Sequence, residues 1–243
     1  MTYSEFKVPK RNGQLRTLVA PDKELKQYQR SKLKGLNKLL EDNVRNAFVS
    51  TTIHGFRKQK SCVTAASLHV GYKATLMMDI ANFFGAINVT HFDNILKIDP
   101  LLFHKDGYLA QGFPTSPVLA NLALVPILAE LKYKLSQITR VVKVTCYADD
   151  IAISVDNTDK IPQIVSLVEE VLLKYSLRLN KAKTRVKYAK YGYRRILGIN
   201  VGDSAIRATR KTIRKIRAAS HQGNGPSLGG LTNWAACRKP KVK

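Results

Sequence analysis

Hydrophobic and polar positions along the chain follow two periods, and the switches between them divide it into elements. Phe6–Val8 and Leu15–Val19 read as two short strands, and Lys10, Arg11, Asn12 and Gly13 between them predict a basic hairpin tip. Pro21-Asp22 opens a long amphipathic helix whose apolar side carries Leu25, Tyr28, Leu33, Leu36, Leu39 and Leu40. Ala74–Ile80 is apolar apart from Asp79, as expected of a buried strand that ends on a carboxylate. Ser116–Lys134 predicts a mostly apolar helix. Val141–Cys146 and Ile151–Val155 are β-rich runs on either side of Tyr147-Ala148-Asp149-Asp150, which predicts a hairpin with two carboxylates at its tip. Ile161–Tyr175 then predicts an amphipathic helix. Arg195–Val201 and Ala205–Ala208 predict a hairpin turned by Gly202-Asp203, and Thr209–Ala219 a basic helix. Elements in this order predict an α+β fold with helices on one face of an antiparallel sheet.

Length narrows the picture a little. The 243 residues allow one domain, or one core with small subdomains, and are enough to bury a core without disulfides or a structural metal. A hydrophobic share of 44% excludes a disordered chain. Cys62, Cys146 and Cys237 show no CxxC spacing, which fits a reducing cytoplasm and argues against a disulfide scaffold or zinc site. Met1–Pro9 has no apolar signal core and no apolar run is long enough to span a bilayer, so a cytoplasmic protein with no membrane partner is expected. Charge changes the picture more. Lys and Arg number 41 against 17 Asp and Glu, a formal +24 that points to a polyanionic partner, nucleic acid first. Residues 178–243 hold 18 Lys/Arg against a single acid, Asp203. Apolar stretches such as Arg195–Val201 lie inside that basic region and argue against a merely solvated tail.

The carboxylates bring in chemistry. Adjacent aspartates at a tight turn repel, and their pKa values split unless a cation lies between them. Mg²⁺ prefers oxygen ligands and is usually held by one or two carboxylates plus substrate phosphates. Two buried β-elements can bring Asp79 beside Asp149 and Asp150, making a two-metal clamp suited to in-line phosphoryl transfer. A solvated Asp-Asp turn is the plain alternative, and the apolar runs flanking the pair count against it.

Five segments then line up with one family. Tyr147-Ala148-Asp149-Asp150 resembles the YxDD box of reverse transcriptases, and Asp79-Ile80-Ala81-Asn82-Phe83-Phe84 resembles their strand with the first metal-binding aspartate. Gln111-Gly112-Phe113-Pro114-Thr115-Ser116-Pro117 resembles their QG-x-P-x-SP segment. Asn180-Lys181-Ala182-Lys183-Thr184 resembles the next box and Ile196-Leu197-Gly198 the one after it. The resemblance runs from about Tyr3 to about Arg217 and is nearest to bacterial retron-type or defence-associated enzymes. His54-Gly55-Phe56-Arg57-Lys58-Gln59-Lys60-Ser61 resembles their segment upstream of the catalytic strand. Ala65-Ala66-Ser67-Leu68-His69 lies where they carry NAxxH, with Ala65 in place of Asn, and Ile196-Leu197-Gly198 stands where they carry VTG. Asn82 and Gly85 depart from the family's usual acidic residue and proline.

The resemblance implies a right-hand polymerase of α+β class. Fingers are expected at 1–70 and around 91–110, a palm with motifs A to E at 71–203, and a short or incomplete basic thumb at 204–243. The implied activity is RNA-directed DNA synthesis, a nucleotidyl transfer that extends a primer with dNTPs. Asp79, Asp149, Asp150 and the backbone carbonyl of Ile80 would hold two Mg²⁺ ions, with Mn²⁺ as the alternative. Lys10 and Arg16 would grasp the triphosphate, with Arg11 an alternative to Lys10. Phe84 would block a ribose 2′-hydroxyl, unless it is a core aromatic beside Phe83, and Gln111 would pack near the incoming base and sugar. Gly112 and Pro114 would shape a turn for approach to the template strand. Tyr147, Arg195, Gly198, Lys211, Arg214 and Lys215 would contact nucleic acid.

Lys183 is either a general acid on pyrophosphate or a positioned surface cation. His69 touches RNA or satisfies a core hydrogen bond, the second being favoured. Tyr188, Tyr191 and Tyr193 interleave with Lys187, Lys190, Arg194 and Arg195, a pattern that suits stacking with phosphate contact and that an alternating strand would equally show. Lys211, Arg214, Lys215 and Arg217 predict a basic face for a template–primer duplex, read by its A-like shape. The implied partners are a template RNA or dedicated noncoding RNA, a DNA or RNA primer, dNTPs, and a protein partner or oligomer that completes the thumb, in antiphage defence. Two other readings stand beside this one. One is a catalytically dispensable, polymerase-derived binding module, against which the costly aspartates argue. The other is a template-independent or protein-primed DNA polymerase.

Overall fold

The structure, a computed structural model, describes residues 1–9 and 13–236. The predicted hairpin tip at Lys10, Arg11 and Asn12 lies outside the described residues, as does Cys237. In chain order the described elements are β1 (Tyr3–Pro9), β2 (Leu15–Pro21), α1 (Lys23–Asn46), α2 (Cys62–Ser67), β3 (Ala74–Asp79), α3 (Phe83–Ala86), α4 (Ser116–Ile138), β4 (Val142–Tyr147), β5 (Asp150–Val155), α5 (Ile161–Lys174), β6 (Arg185–Tyr188), β7 (Arg194–Ile196), β8 (Ile199–Val201), β9 (Ile206–Ala208), α6 (Arg210–His221) and α7 (Gly225–Ala235), with short 3₁₀ turns between some of them. They form two compact units. One is Met1–Thr51, Ile80–Leu131 and Val168–Leu179; the other is Thr52–Asp79, Lys132–Leu167 and Asn180–Lys243. Among the described residues no helix is long and apolar enough to cross a membrane.

In the first unit, β1 and β2 pair antiparallel from Tyr3↔Pro21 to Pro9↔Leu15. Asp22 ends the hairpin and starts α1, its Oδ1 accepting the Leu25 N–H at 2.7 Å. Leu25, Leu36, Leu40 and Val44 form the buried stripe of α1, and buried Gln29 donates its Nε2 to the Leu101 carbonyl at 2.8 Å. Val19, Leu25, Ala110 and Phe113 close a small core against Tyr3. Along the part of α4 in this unit almost every residue is buried, as expected of a helix that is apolar on all sides.

The second unit is built on an antiparallel sheet of order β4-β5-β3-β6. The central strands are the most apolar: Ala74, Leu76 and Met78 on β3 and Ile151, Ile153 and Val155 on β5 are all buried. A chain of buried polar side chains crosses these strands. Thr75 Oγ1 lies 2.7 Å from Ser154 Oγ, His69 Nδ1 lies 2.8 Å from the same oxygen, and His69 Nε2 lies 2.7 Å from Thr145 Oγ1. A second, three-stranded sheet, β7-β8-β9, packs Ile196, Ile199 and Val201 against Val63 and Ala66 of α2 and Ala152 of β5.

Two expectations change, one holds, and two helices are unanticipated. Arg195–Val201 is not one strand: Leu197 and Gly198 have φ of 48° and 80° and turn β7 back on β8, as a two-residue hairpin turn requires. The Gly202-Asp203 turn joins β8 to β9. The apolar helix runs four residues past Lys134, to Ile138. Helices α2 and α7 carry too little periodic signal to predict. The first is six residues, started by a capping box between Ser61 and Thr64, and the second holds Gly225, Gly229 and Gly230 against helix propensity.

Candidate active site

Strand register builds the site. Asp79 is the last residue of β3 and pairs across the sheet with Asp150, the first residue of β5. Tyr147 pairs with Asp150 in the β4–β5 ladder, so the hairpin tip is Ala148-Asp149 alone. Asp150 is therefore a strand residue, which corrects the expectation of two carboxylates at the tip. The tight turn is made by Ala148, whose φ of 55° lies in the left-handed region. Like charges directly across a ladder are destabilising, and here both members are carboxylates.

The electrostatics follow from that register. Asp150 is exposed by surface, yet protein atoms crowd it. This crowding, followed by the charges of Asp149 and Asp79, raises its pKa to about 6, while Lys183 works in the opposite direction. Lys183 Nζ donates to Asp79 Oδ1 at 2.7 Å. That bond, and then the fields of all three carboxylates, hold its ammonium in the charged form more firmly than usual. The backbone places it there: Asn180 N–H donates to the Asp79 carbonyl at 2.7 Å, and the Lys181–Lys183 3₁₀ turn follows directly. One unit thus brings Asp79, Asp149, Asp150 and Lys183 together across 104 residues of chain between Asp79 and Lys183.

A segment upstream braces the turn. Cys146 N–H donates to the Thr52 carbonyl at 2.7 Å, and His54 N–H donates to the Cys146 carbonyl at 2.8 Å, so residues 52–54 run parallel to the end of β4. Buried Arg57 donates Nη1 to the Ile53 carbonyl at 2.8 Å and fixes the bend that follows. Gly55 then lies flat on the turn: a Cβ there would stand 2.5 Å from the Ala148 nitrogen and 3.1 Å from the Tyr147 carbonyl carbon. Phe56 faces Tyr147 with ring centres 6.5 Å apart. Sequence reasoning missed Gly55 and Arg57 as positioning residues, although the segment that contains them had been marked by its family resemblance.

The other predicted residues are placed as follows. Ile80 is buried and bridges to Leu179. Arg16 is exposed on β2, opposite Val8, and Lys10 is outside the described residues. Gln111 accepts the Val19 N–H on its carbonyl at 2.9 Å. Gly112, at φ 125°, is required by close approach to protein: a Cβ there would overlap the Val19 carbonyl oxygen. Pro114 is half-buried in the same turn. Phe83 is the buried ring and Phe84 the half-buried one, 5.2 Å apart, so the core-aromatic alternative belongs to Phe83. The two departures nearby are one adaptation. Asn82 takes a left-handed φ of 48°, and its side-chain nitrogen lies 2.6 Å from where a Cβ on residue 85 would be, so the Asn82 amide occupies space that Gly85 leaves open.

On the basic side, Arg195, Gly198, Lys211 and Lys215 line a groove of about 310 Å³ with Thr209, Thr212, Leu231 and Trp234. Arg214 is exposed on the same helix, and Tyr147 is half-buried. Trp234, the sole tryptophan, was not anticipated in this groove. One cation departs from the pattern read in the sequence, and one histidine follows its favoured reading. Arg194 is fully buried and donates to the Tyr72 carbonyl and, at 3.0 Å, to the Gly202 carbonyl, so it is structural. His69 is fully buried between Ser154 and Thr145, with burial first and then Arg194 pushing its pKa down to about 3. It is a neutral core histidine.

Among the described residues no three His, Cys, Asp or Glu side chains form a ready-made metal cluster. The aspartates nevertheless fit a hard divalent cation. They offer oxygen donors only, and desolvation followed by the charges of Asp149 and Asp79 raises the Asp150 pKa to about 6, a cost that a cation there would relieve.

This arrangement, two acidic strand ends in an antiparallel sheet with a lysine on the first aspartate, is that of a nucleic-acid polymerase palm. The family described as reverse transcriptase (RNA-dependent DNA polymerase) matches residues 8–201, and the chain belongs to that family. Its similar proteins include retron enzymes. The Retron Mx65 reverse transcriptase of Myxococcus xanthus is 28% identical over 250 residues, covering 90% of this chain and 56% of that protein. The Retron Ec86 reverse transcriptase of Escherichia coli is 25% identical, covering 90% of this chain and 70% of that one. The chain thus spans little more than half of the Mx65 enzyme's length. Among solved structures, the foamy viral protease-reverse transcriptase with double-stranded DNA superposes with a TM-score of 0.58 at 20% identity, over 97% of this chain and 36% of that one. Apo telomerase from Candida tropicalis superposes with 0.59 at 12% identity, over 84% and 47%. These likenesses carry the polymerase fold.

Proposed function

We propose that this chain is an RNA-directed DNA polymerase that extends a primer with dNTPs by a two-metal mechanism. The observation that carries the reading is the cross-strand pair Asp79↔Asp150, with Asp149 beside it and Lys183 bonded to Asp79. Divalent ions held by Asp79, Asp149, Asp150 and the Ile80 carbonyl, Mg²⁺ with Mn²⁺ as the alternative, would neutralise the triphosphate and acidify the primer 3′-hydroxyl. The protein's own groups do the rest. Lys183 keeps its proton at neutral pH and can present it, or its charge, to the departing pyrophosphate. Arg16, on β2, and Lys10 would hold the incoming phosphates. The Phe84 ring would exclude a ribose 2′-hydroxyl, and Gln111 would face the base. The groove with Arg195, Lys211 and Lys215 would hold the template–primer duplex by its backbone.

In this reading residues 1–70 and about 91–110 act as fingers, 71–203 as palm and 204–243 as the start of a thumb. A dedicated noncoding RNA as template and a role in antiphage defence belong to the same reading, which the likeness to curated retron reverse transcriptases motivates. Primer extension on an RNA template tests the reading. Asp149→Ala should abolish DNA synthesis and leave duplex binding nearly unchanged, whereas neutralising Lys211, Arg214 and Lys215 should weaken duplex binding across all sequences and flatten its salt dependence. Wild-type protein that makes no DNA, or an Asp149→Ala protein that works as before, would refute it.

A further inference from the structure

Strand β6 leaves the sheet at the end remote from the aspartates. Tyr188 pairs with Ala74, the first residue of β3, whereas Asp79 is the last. Five strand steps separate the two positions, roughly 16 Å along the sheet. The chain there turns through Ala189–Tyr191 into β7 and exposes a cluster of rings and cations. Tyr191 is 79% exposed and Tyr193 50% exposed, so the first forgoes most and the second about half of its burial energy.

The cluster is ordered rather than scattered. Tyr188 and Tyr191 meet edge to face with centres 6.1 Å apart, and Lys190 Nζ lies 5.0 Å from the Tyr191 centre and 5.9 Å from that of Tyr188. The Tyr193 ring lies against Gly202, where a Cβ would be 2.9 Å from it, and the Arg207 guanidinium lies 5.9 Å from its centre. Lys190 and Arg207 are both exposed beside these rings, and Asp203 is the one acid in residues 178–243.

Exposed rings with cations held at their faces match unpaired nucleobases on a charged backbone. A base stacks on the ring, and the adjacent cation meets the phosphate. A base-paired duplex buries its base faces and could use only the charge. We propose that Tyr188, Tyr191 and Tyr193, with Lys190 and Arg207, form a second nucleic-acid site that binds an unpaired stretch of strand at the end of the palm sheet opposite the aspartates. The proposal rests on the reading of this chain as a polymerase that handles RNA and DNA. Such an enzyme always has unpaired strand at hand, and this site anchors it outside the path of the primer–template duplex.

The test is fluorescence anisotropy of the full chain with a short unstructured RNA oligonucleotide, the same sequence as DNA, and a blunt RNA–DNA hybrid. Tyr191→Ala with Tyr193→Ala should weaken binding of the single strands roughly ten- to a hundredfold. Binding and extension of a primed hybrid should stay at the wild-type level. Tyr191→Phe with Tyr193→Phe should bind single strands like wild type, because the ring faces remain. Tyr191→Ala alone, at the most exposed position, should still cost several-fold and guards against a folding defect at Tyr193. A loss shared by RNA and DNA supports a site that reads base faces, and a loss confined to RNA supports the same site with the 2′-hydroxyl as its source of selectivity. Unchanged single-strand affinity in the Ala variants overturns the proposal, as does an equal loss on the blunt hybrid or a Phe variant as weak as the Ala one. If wild type extends no primer while the Ala variants still lose single strands, the polymerase reading fails and the site stands.

Discussion

A single methyl group at Gly55 should uncouple DNA synthesis from nucleic-acid binding. The Cβ of Gly55→Ala would stand 2.5 Å from the Ala148 nitrogen, and ordinary contact begins at 3.4 Å, so the two backbones must part by about 0.9 Å. Neither side yields easily. Residues 52–54 are tied to both backbone groups of Cys146, and Ala148 is the left-handed residue that forms the turn. The displacement therefore falls on Ala148-Asp149 and on Asp150 after it. A misplacement of about 1 Å at reacting groups costs on the order of a hundredfold in rate. Overpacking of this kind costs roughly 1–3 kcal/mol of stability, small enough for the variant to remain folded. Single-turnover primer extension at saturating dNTP should thus fall about a hundredfold, with the Mg²⁺ concentration for half-maximal rate raised and the Kd for the primed template within about twofold of wild type. A folded Gly55→Ala protein with a turnover rate within threefold of wild type, roughly 0.7 kcal/mol, would show that the brace has no part in setting the aspartates.

Two titrations give further outcomes. Asp150, raised to about 6 by the protein atoms that crowd it and by its two acidic neighbours, must lose its proton to serve as a ligand, so the extension rate should fall about tenfold per pH unit below that value, and added Mg²⁺ should move the fall to lower pH; a profile indifferent to Mg²⁺ would count against it. His69 is held at about 3, far below the ordinary 6.5, so its contribution is fully present above pH 6.5 and is lost as the pH falls toward 3. The stability advantage of wild type over His69→Asn in urea unfolding should accordingly shrink by roughly 1.4 kcal/mol per pH unit below 6.5, and a constant difference would mean that the buried imidazole is not the titrating group.

Much of the second unit was legible because its signals are local. The apolar runs of β3 and β5 announce buried strands, and each ends or begins on an aspartate, so their meeting could be expected before any pairing was known. The rest depends on contacts between distant residues. Whether Asp150 belongs to the tip or the ladder is a question of register, settled by Tyr147↔Asp150 pairing and the left-handed Ala148. Nothing near Gly55 says that a backbone 93 residues later lies against it. Arg194 reads as one more surface cation in a basic run. It is buried because three-stranded pairing turns it toward the carbonyls of Tyr72 and Gly202. The Asn82 and Gly85 departures each look arbitrary alone and make sense only when one side chain is seen to fill the space the other lacks.

The pairing of Lys183 with Asp79 explains how the carboxylates can coexist in a fold at all. Cross-strand aspartates repel, and desolvation adds to the cost, which is why Asp150 takes up a proton so readily. An ammonium on Asp79 offsets part of that charge, yet the pair is not a permanent lock. The lysine side chain is 60% exposed, and an exposed ion pair contributes little. Its backbone, by contrast, is fixed to the Asp79 carbonyl through Asn180. The charged head can therefore leave Asp79 for another anion without disturbing the residues that carry it. A divalent cation at the aspartates would take over the neutralising role and free the same ammonium for a phosphate. That makes the two roles considered for Lys183, proton donor and positioned cation, consequences of one tether. Lys183→Arg separates them: it retains the charge, but its guanidinium gives up no proton in the working pH range.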